Sequence, residues 1–194
     1  MELFGTNESP RRGPMRTILA VDDSRTNLSV IGRRLAHMGY LTALSDNGVE
    51  ALALIAARGF DLVLLDMVMP RMSGIQVLRE IRSNRETADL PVIMITGRSD
   101  AAAAVEALAA GADDHVAKPF EFEVLGARID RVLARSSRIN ELKRSNATLD
   151  ARIAARAMEL GEARTELAET RADRARLVSS IQSLNDQIER LNAS

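Results

Sequence analysis

The chain of 194 residues has no cysteine and no tryptophan, one tyrosine, four phenylalanines and two histidines. Without cysteine there is neither a disulfide framework nor a thiolate metal site, which fits a reducing compartment. Aromatic residues are only 3% of the chain. That is little for one compact globule, because large rings carry much of a core's burial, so part of the chain is expected to be extended helix. No apolar run approaches the roughly 18 residues of a bilayer-spanning helix. Residues 1–15 carry Glu2, Glu8, Arg11 and Arg12 and lack the apolar segment of a secretory signal. The expected location is therefore cytoplasmic, with no membrane insertion. The net charge of −1 implies neither nucleic acid nor an acidic membrane as partner. Lysine is scarce as well: of 26 basic residues only Lys118 and Lys143 are lysines, and the rest are arginine.

What is present is an alternation of short apolar runs and helical segments, at 46% hydrophobic residues. Residues 1–15, with Gly5, Pro10, Gly13 and Pro14, read as a flexible leader. Thr17–Val21 reads as a strand ending in Asp22-Asp23. Ser24 is a candidate N-cap for a helix to about Met38, with Leu28, Ile31 and Leu35 on one face and Gly39 as its stop. A short strand at Leu41–Leu44 and the turn Asp46-Asn47-Gly48 lead into a helix that stops near Gly59. Leu62–Leu65 is four apolar residues bounded by turn formers, the mark of a buried parallel strand, and it ends in Asp66. A helix carrying Ile75, Leu78 and Ile81 follows the loop Met67–Gly74. Val92–Ile95 predicts a fourth strand ending in Thr96-Gly97, and an Ala-rich helix spans about Asp100–Ala110. A weak fifth strand around Val116 leads to Lys118-Pro119, and a last helix starts near Glu121. Five strands alternating with five helices predict an α/β fold, a doubly wound parallel sheet with helices on both faces, flavodoxin-like in the order 2-1-3-4-5.

The tail differs in kind. With Val132 at heptad position a, the a positions run Val132, Ile139, Asn146, Ile153, Leu160, Leu167, Arg174, Ile181 and Ile188. The d positions run Arg135, Leu142, Leu149, Arg156, Ala163, Thr170, Leu177, Leu184 and Leu191. The register never slips and no proline follows Pro119. A strict seven-residue repeat over residues 132–194 predicts a long coiled coil, about 90 Å at 1.5 Å per residue, continuous with the last helix of the α/β domain. Asn146 at an a position favours a parallel, in-register homodimer through residues 132–191. Parallel pairing sets Glu159 opposite Arg164 and Glu166 opposite Arg171 of the second copy, while Arg156, Thr170 and Arg174 soften the middle of the seam.

A carboxylate at the end of an apolar strand is costly unless it is paired or bound to a metal. In the 2-1-3-4-5 order, Asp22, Asp23, Asp66, Thr96 and Lys118 converge at the carboxyl edge of the sheet, where such folds place their sites. Three carboxylates there repel one another and call for a cation. With no imidazole or thiolate nearby, a hard ion such as Mg²⁺ fits best, taking one or two carboxylates plus waters and a phosphate. A chain that uses arginine almost everywhere has lysine at position 118, where a compact point charge suits a tight pocket.

These motifs together resemble the CheY-like receiver domain of two-component response regulators. The resemblance covers residues 16–135 and rests on VDDS at Val21–Ser24, LLDMVMP with the following SG at Leu64–Gly74, ITG at Ile95–Gly97, and GADDHVAKPF at Gly111–Phe120. It implies that Asp66 accepts a phosphoryl group from a histidine kinase or phosphotransfer protein. It also implies that Asp23, Asp66 and the backbone carbonyl of Val68 hold Mg²⁺, with Asp22 acting through a water. Lys118 would pair with the phosphate, its bond to Pro119 would be cis, and Thr96 would hydrogen-bond a phosphoryl oxygen beside the small Gly97. One position departs from the family pattern: His115 stands where a switch Tyr or Phe is usual, and an imidazole can titrate near neutrality.

The implied function is a phospho-switch in a phosphorelay, not an enzyme beyond its own phosphoryl transfer and dephosphorylation, signalling through the coil to a partner. The alternative is the N-terminal regulatory segment of a larger signalling enzyme: a diguanylate cyclase, a phosphodiesterase or a histidine kinase. Direct DNA binding is not expected, because no helix-turn-helix follows the α/β domain and the coil mixes both charge signs.

Overall fold

The computed structural model describes residues 15–97 and 101–192. Apart from Met15, the expected leader over residues 1–15 lies outside the described residues. The elements are β1 (Thr17–Val21), α1 (Arg25–His37), β2 (Leu41–Ser45), α2 (Gly48–Ala57), β3 (Leu62–Asp66), α3 (Gly74–Ser83), β4 (Val92–Thr96), α4 (Ala101–Ala109), β5 (Asp114–Ala117) and α5 (Phe122–Asn192). The five strands form one parallel sheet in the order β2-β1-β3-β4-β5.

Alternation along each strand divides the core between two faces. Ile18, Ala20, Leu62, Leu64, Ile93, Ile95 and Val116 pack against α1 and α5. Leu19, Val21, Val63, Leu65, Val92 and Met94 pack against α2, α3 and α4. The central strands β3 and β4 are buried along their whole length, and edge strand β2 is not. A fully buried Leu or Ile contributes about 1.5–3 kcal/mol, so these two strands anchor the domain.

Local chemistry starts and stops the helices where the sequence signals it. Ser24 caps α1, its hydroxyl accepting from the Asn27 backbone N–H, and Gly39 follows that helix at φ +83°, a conformation glycine adopts without strain. A full capping box opens α3: Ser73 accepts from the Gln76 N–H while the Gln76 side chain accepts from the Ser73 N–H. Three strands run one residue beyond their apolar runs. Ser45, Asp66 and Thr96 are each the last strand residue, because backbone pairing continues through Val21↔Ser45, Asp66↔Ile95 and Thr96↔Ala117. The polar strand ends are thus held on the sheet rather than in loops.

In α5, Leu125, Ile129, Val132 and Leu133 are buried against the sheet. Asp114 of β5 is buried and ion-paired to Arg128 and Arg131 of this helix at 2.9 and 2.7 Å. Burial alone would push the Asp114 carboxyl up, but hydrogen bonds from Arg128 and from the His115 N–H, with both arginine charges, hold it below the usual carboxylate value. Tyr40 donates to Asp130 at 2.6 Å, and Arg16 joins Asp61 at 2.6 Å and Ser137 at 3.1 Å. The chain divides into two compact units, Met1–Ile139 and Asn140–Ser194. The second is helix, and its apolar heptad positions lie open: Leu142 is 60% exposed, Leu160 53% and Leu184 57%. Within it Arg156 pairs with Glu159 one turn on, at 2.7 Å. No described helix is long and apolar enough to cross a membrane.

Candidate functional site

The register of the sheet brings the carboxyl ends of β1, β3, β4 and β5 level, and four of the expected residues meet there or beside it. Asp66 ends β3 and is 6% exposed, and Asp22, just past β1, is 1% exposed. Lys118 reaches in from the end of β5, and its ammonium lies 2.6 Å from Asp66 Oδ1 and 2.8 Å from Asp22 Oδ2. Thr96 is buried at the end of β4, and its carbonyl accepts from the Lys118 N–H at 2.7 Å. The peptide bond between Lys118 and Pro119 is cis. Asp23 is exposed at the rim, close enough for its charge to act on Asp66. Val68, two residues past Asp66, carries a side chain that is 74% exposed.

The loop after Asp66 is folded tightly back on it. The Gly74 N–H donates to the Met67 carbonyl at 3.0 Å. A Cβ at Gly74 would stand 2.1 Å from the Asp66 carbonyl oxygen, so no other residue fits there without displacing the strand end. Arg71 in the same loop has φ 69°, in the left-handed region.

Electrostatics mark Asp66 as the strained member. Its carboxyl is pushed above the usual value first by burial; the hydrogen bond and charge of Lys118 pull it down, and the charges of Asp22 and Asp23 push it up again. For Lys118, burial works against the ammonium, but the hydrogen bonds and charges of Asp22 and Asp66 outweigh it and raise its pKa. The two shifts oppose one another, since one favours a neutral acid and the other a charged base. The ion-pair geometry decides for a charged pair at neutral pH, because one ammonium is shared by two carboxylates at hydrogen-bond distance.

Asp22 and Asp66 share one ammonium, and Asp23 at the rim adds a carboxylate whose charge reaches Asp66; oxygen donors of this kind suit a hard divalent cation. Among the described residues no three acidic or imidazole side chains already form a metal cage. Mg²⁺ does not require one, because it keeps several waters and takes only one or two carboxylates. The residues present therefore fit the ion.

Sequence reasoning missed one contact here. The Asn27 side-chain amide donates to both oxygens of Asp22, at 3.1 and 3.2 Å. The Ser24 N–H adds a third donor at 2.9 Å. Another miss is the pairing of Asp114 with α5, for which a charged residue inside a strand was the available signal. His115 lies on β5 opposite Met94, and its Nδ1 is buried with no hydrogen-bond partner among the described residues.

The fold and this edge define a receiver class of protein, and similarity to known proteins agrees. Residues 18–130 match the response regulator receiver domain, and the chain belongs to that family. It is a response regulator receiver of two-component signalling. It is 44% identical over 124 residues to the response regulator MprA of Mycobacterium sp. strain KMS, covering 64% of this chain and 53% of that protein. The Mycobacterium leprae MprA is 43% identical over 119 residues, 61% of this chain and 51% of its own length. The chain thus spans about half the length of these relatives. Among solved structures, the Vibrio cholerae chemotaxis protein CheY4 is 31% identical with a TM-score of 0.59, covering 61% of this chain and 99% of that one. A response regulator receiver domain protein from Clostridium thermocellum is 30% identical with a TM-score of 0.60, covering 64% and 99%.

Proposed function

We propose that Asp66 is the phosphoacceptor of a phosphorelay and that the coil carries the resulting signal to a partner. The observation that carries this reading is the buried Asp66 carboxylate, pushed toward protonation by its surroundings and held by the ammonium of Lys118. A carboxylate oxygen of Asp66 attacks the phosphorus of a phosphohistidine on a histidine kinase or phosphotransfer protein. A P–O bond forms as the P–N bond breaks, leaving an acyl phosphate here and a free imidazole on the donor. Asp23, Asp66 and the Val68 carbonyl would hold Mg²⁺, with Asp22 reaching it through a water. The ion would neutralise charge on the transferring phosphoryl oxygens. Lys118 moves its second hydrogen bond from Asp66 Oδ1 to a phosphoryl oxygen, still anchored by Asp22, and the Thr96 hydroxyl donates to another. The chain performs no chemistry beyond this transfer and the later hydrolysis of its own acyl phosphate.

The output reading is a parallel homodimer through residues 132–191. Supporting it are the uncovered a and d side chains and Asn146 at an a position.

Incubation of the full chain with acetyl phosphate and Mg²⁺, followed by intact mass, tests the site. The expected result is one added phosphoryl group on the wild type, none on Asp66→Ala, and none after chelation of the metal. Equal labelling of Asp66→Ala would overturn the assignment.

A further inference from the structure

Three helices of the domain open on a cap followed three residues later by a side chain that can reach back. In α2, Asn47 accepts from the Glu50 N–H, and the Glu50 carboxylate accepts from Ser45 at 2.8 Å. In α3, Gln76 closes the capping box on Ser73 at 2.8 Å. The same spacing occurs at α1, where Ser24 accepts from the Asn27 N–H at 3.4 Å. There the third side chain does not return to its cap; it donates to Asp22 instead.

We infer that Asn27 is a positioning residue of the acidic pocket: its neutral amide clamps the Asp22 carboxylate with Oδ2 turned to Lys118 and leaves the pocket's negative charge intact for a divalent cation. The geometry supports each half of this. Oδ1 of Asp22 takes the Ser24 N–H and the amide, while Oδ2 takes the amide and the ammonium. One nitrogen bridging both oxygens fixes the plane of the carboxylate. That plane sets where Lys118 stands, and Lys118 in turn contacts Asp66 at 2.6 Å.

The residue type follows from charge. A carboxylate at position 27 would be welcome at a helix N-terminus, and glutamate would complete the capping box. Either acid, however, would face Asp22 across hydrogen-bond distance. A lysine or arginine would pair with Asp22 and cancel the charge that attracts the cation. Only an uncharged donor holds Asp22 without altering the field.

This inference rests on the Mg²⁺ reading above, and its test separates the two. Mg²⁺ is titrated calorimetrically into the full-length wild type, Asn27→Leu, Asn27→Gln and Ser24→Ala, with melting temperatures measured alongside. Asn27→Leu is expected to bind Mg²⁺ about tenfold more weakly, the scale of losing a hydrogen bond that orients a metal site, and Asn27→Gln to recover part of the loss. Ser24→Ala removes the cap of the same helix but not the donors to Asp22, so it should lower the melting temperature and leave Mg²⁺ affinity unchanged. Asn27→Leu binding as tightly as wild type would overturn the inference, as would Ser24→Ala weakening Mg²⁺ equally. A wild type that does not bind Mg²⁺ overturns the metal reading itself, and this inference with it.

Discussion

At Asp66 the requirements of folding and of the proposed function oppose one another. Burial and two neighbouring carboxylates raise its pKa in the folded state, so between the unfolded and folded values the native state binds more protons. Its stability therefore falls as pH rises through that window. The cost is absent below the ordinary carboxylate value of 3.8 and fully present above the folded pKa. Asp66→Asn removes the ionisation while keeping the shape. Without metal it should melt about 2–4 °C above the wild type at neutral pH, with the difference shrinking as pH drops toward the unfolded value. Mg²⁺ should narrow it as well, by stabilising only the carboxylate form. Thermal melts across pH, with and without Mg²⁺, check this, and an Asn variant less stable at neutral pH would sink it. Asp114 has the opposite sign. Its pKa is lowered by its arginines, so its contribution is present above the unfolded value and lost as pH falls through the folded one.

At the scale of elements, α5 raises the question of what covers its apolar stripe. From Leu142 to Ile188 the leucines and isoleucines at a and d are half exposed or more, and each that a second copy buries would contribute up to about 1.5–3 kcal/mol. The stripe is uneven. A parallel, in-register pair sets Arg156 against Arg156 and Arg174 against Arg174, and like charges in a seam repel. Glu159, the expected cross-coil partner of Arg164, is engaged by Arg156 of its own helix at 2.7 Å. That bond draws the Arg156 charge out of the seam and weakens the cross-coil pair. Because the chain has no cysteine, Leu149→Cys gives a single thiol at a d position. Under oxidation it should cross-link to itself if the helices run parallel in register, since facing d residues approach to disulfide distance. An antiparallel pair would bring Leu149 opposite a different residue and yield no cross-link, which would refute the proposed orientation.

Across the whole molecule, what could be read from sequence divides by how local its cause is. Strand-end charges after apolar runs exposed Asp22, Asp66 and Lys118, because both the run and the charge are written consecutively. The unbroken helical periodicity after Pro119 is likewise local, so the long helix of the tail was readable. Asn27 was not, because its partner is decided by the turn that lays Asp22 over the start of α1. Asp114 passed as part of a motif although β5 buries it against α5. The same limit holds for the proposed output, because pairing with a second copy is not written in any one stretch of residues. If phosphorylation alters how two receivers meet at the head of the coil, then linkage makes the effect reciprocal: whatever factor the phosphoryl group applies to dimer affinity, dimerisation applies to affinity for the phosphoryl group. Couplings of this kind are typically about 5–150-fold. Beryllium fluoride with Mg²⁺ mimics the acyl phosphate reversibly, so both sides of the cycle are measurable. Sedimentation equilibrium with and without the mimic gives one factor. Titration of the mimic above and below the dimer dissociation constant gives the other. The two factors should agree, and Asp66→Ala should abolish both; a mimic that binds equally well to monomer and dimer would show that the coil holds the receivers together without hearing from them.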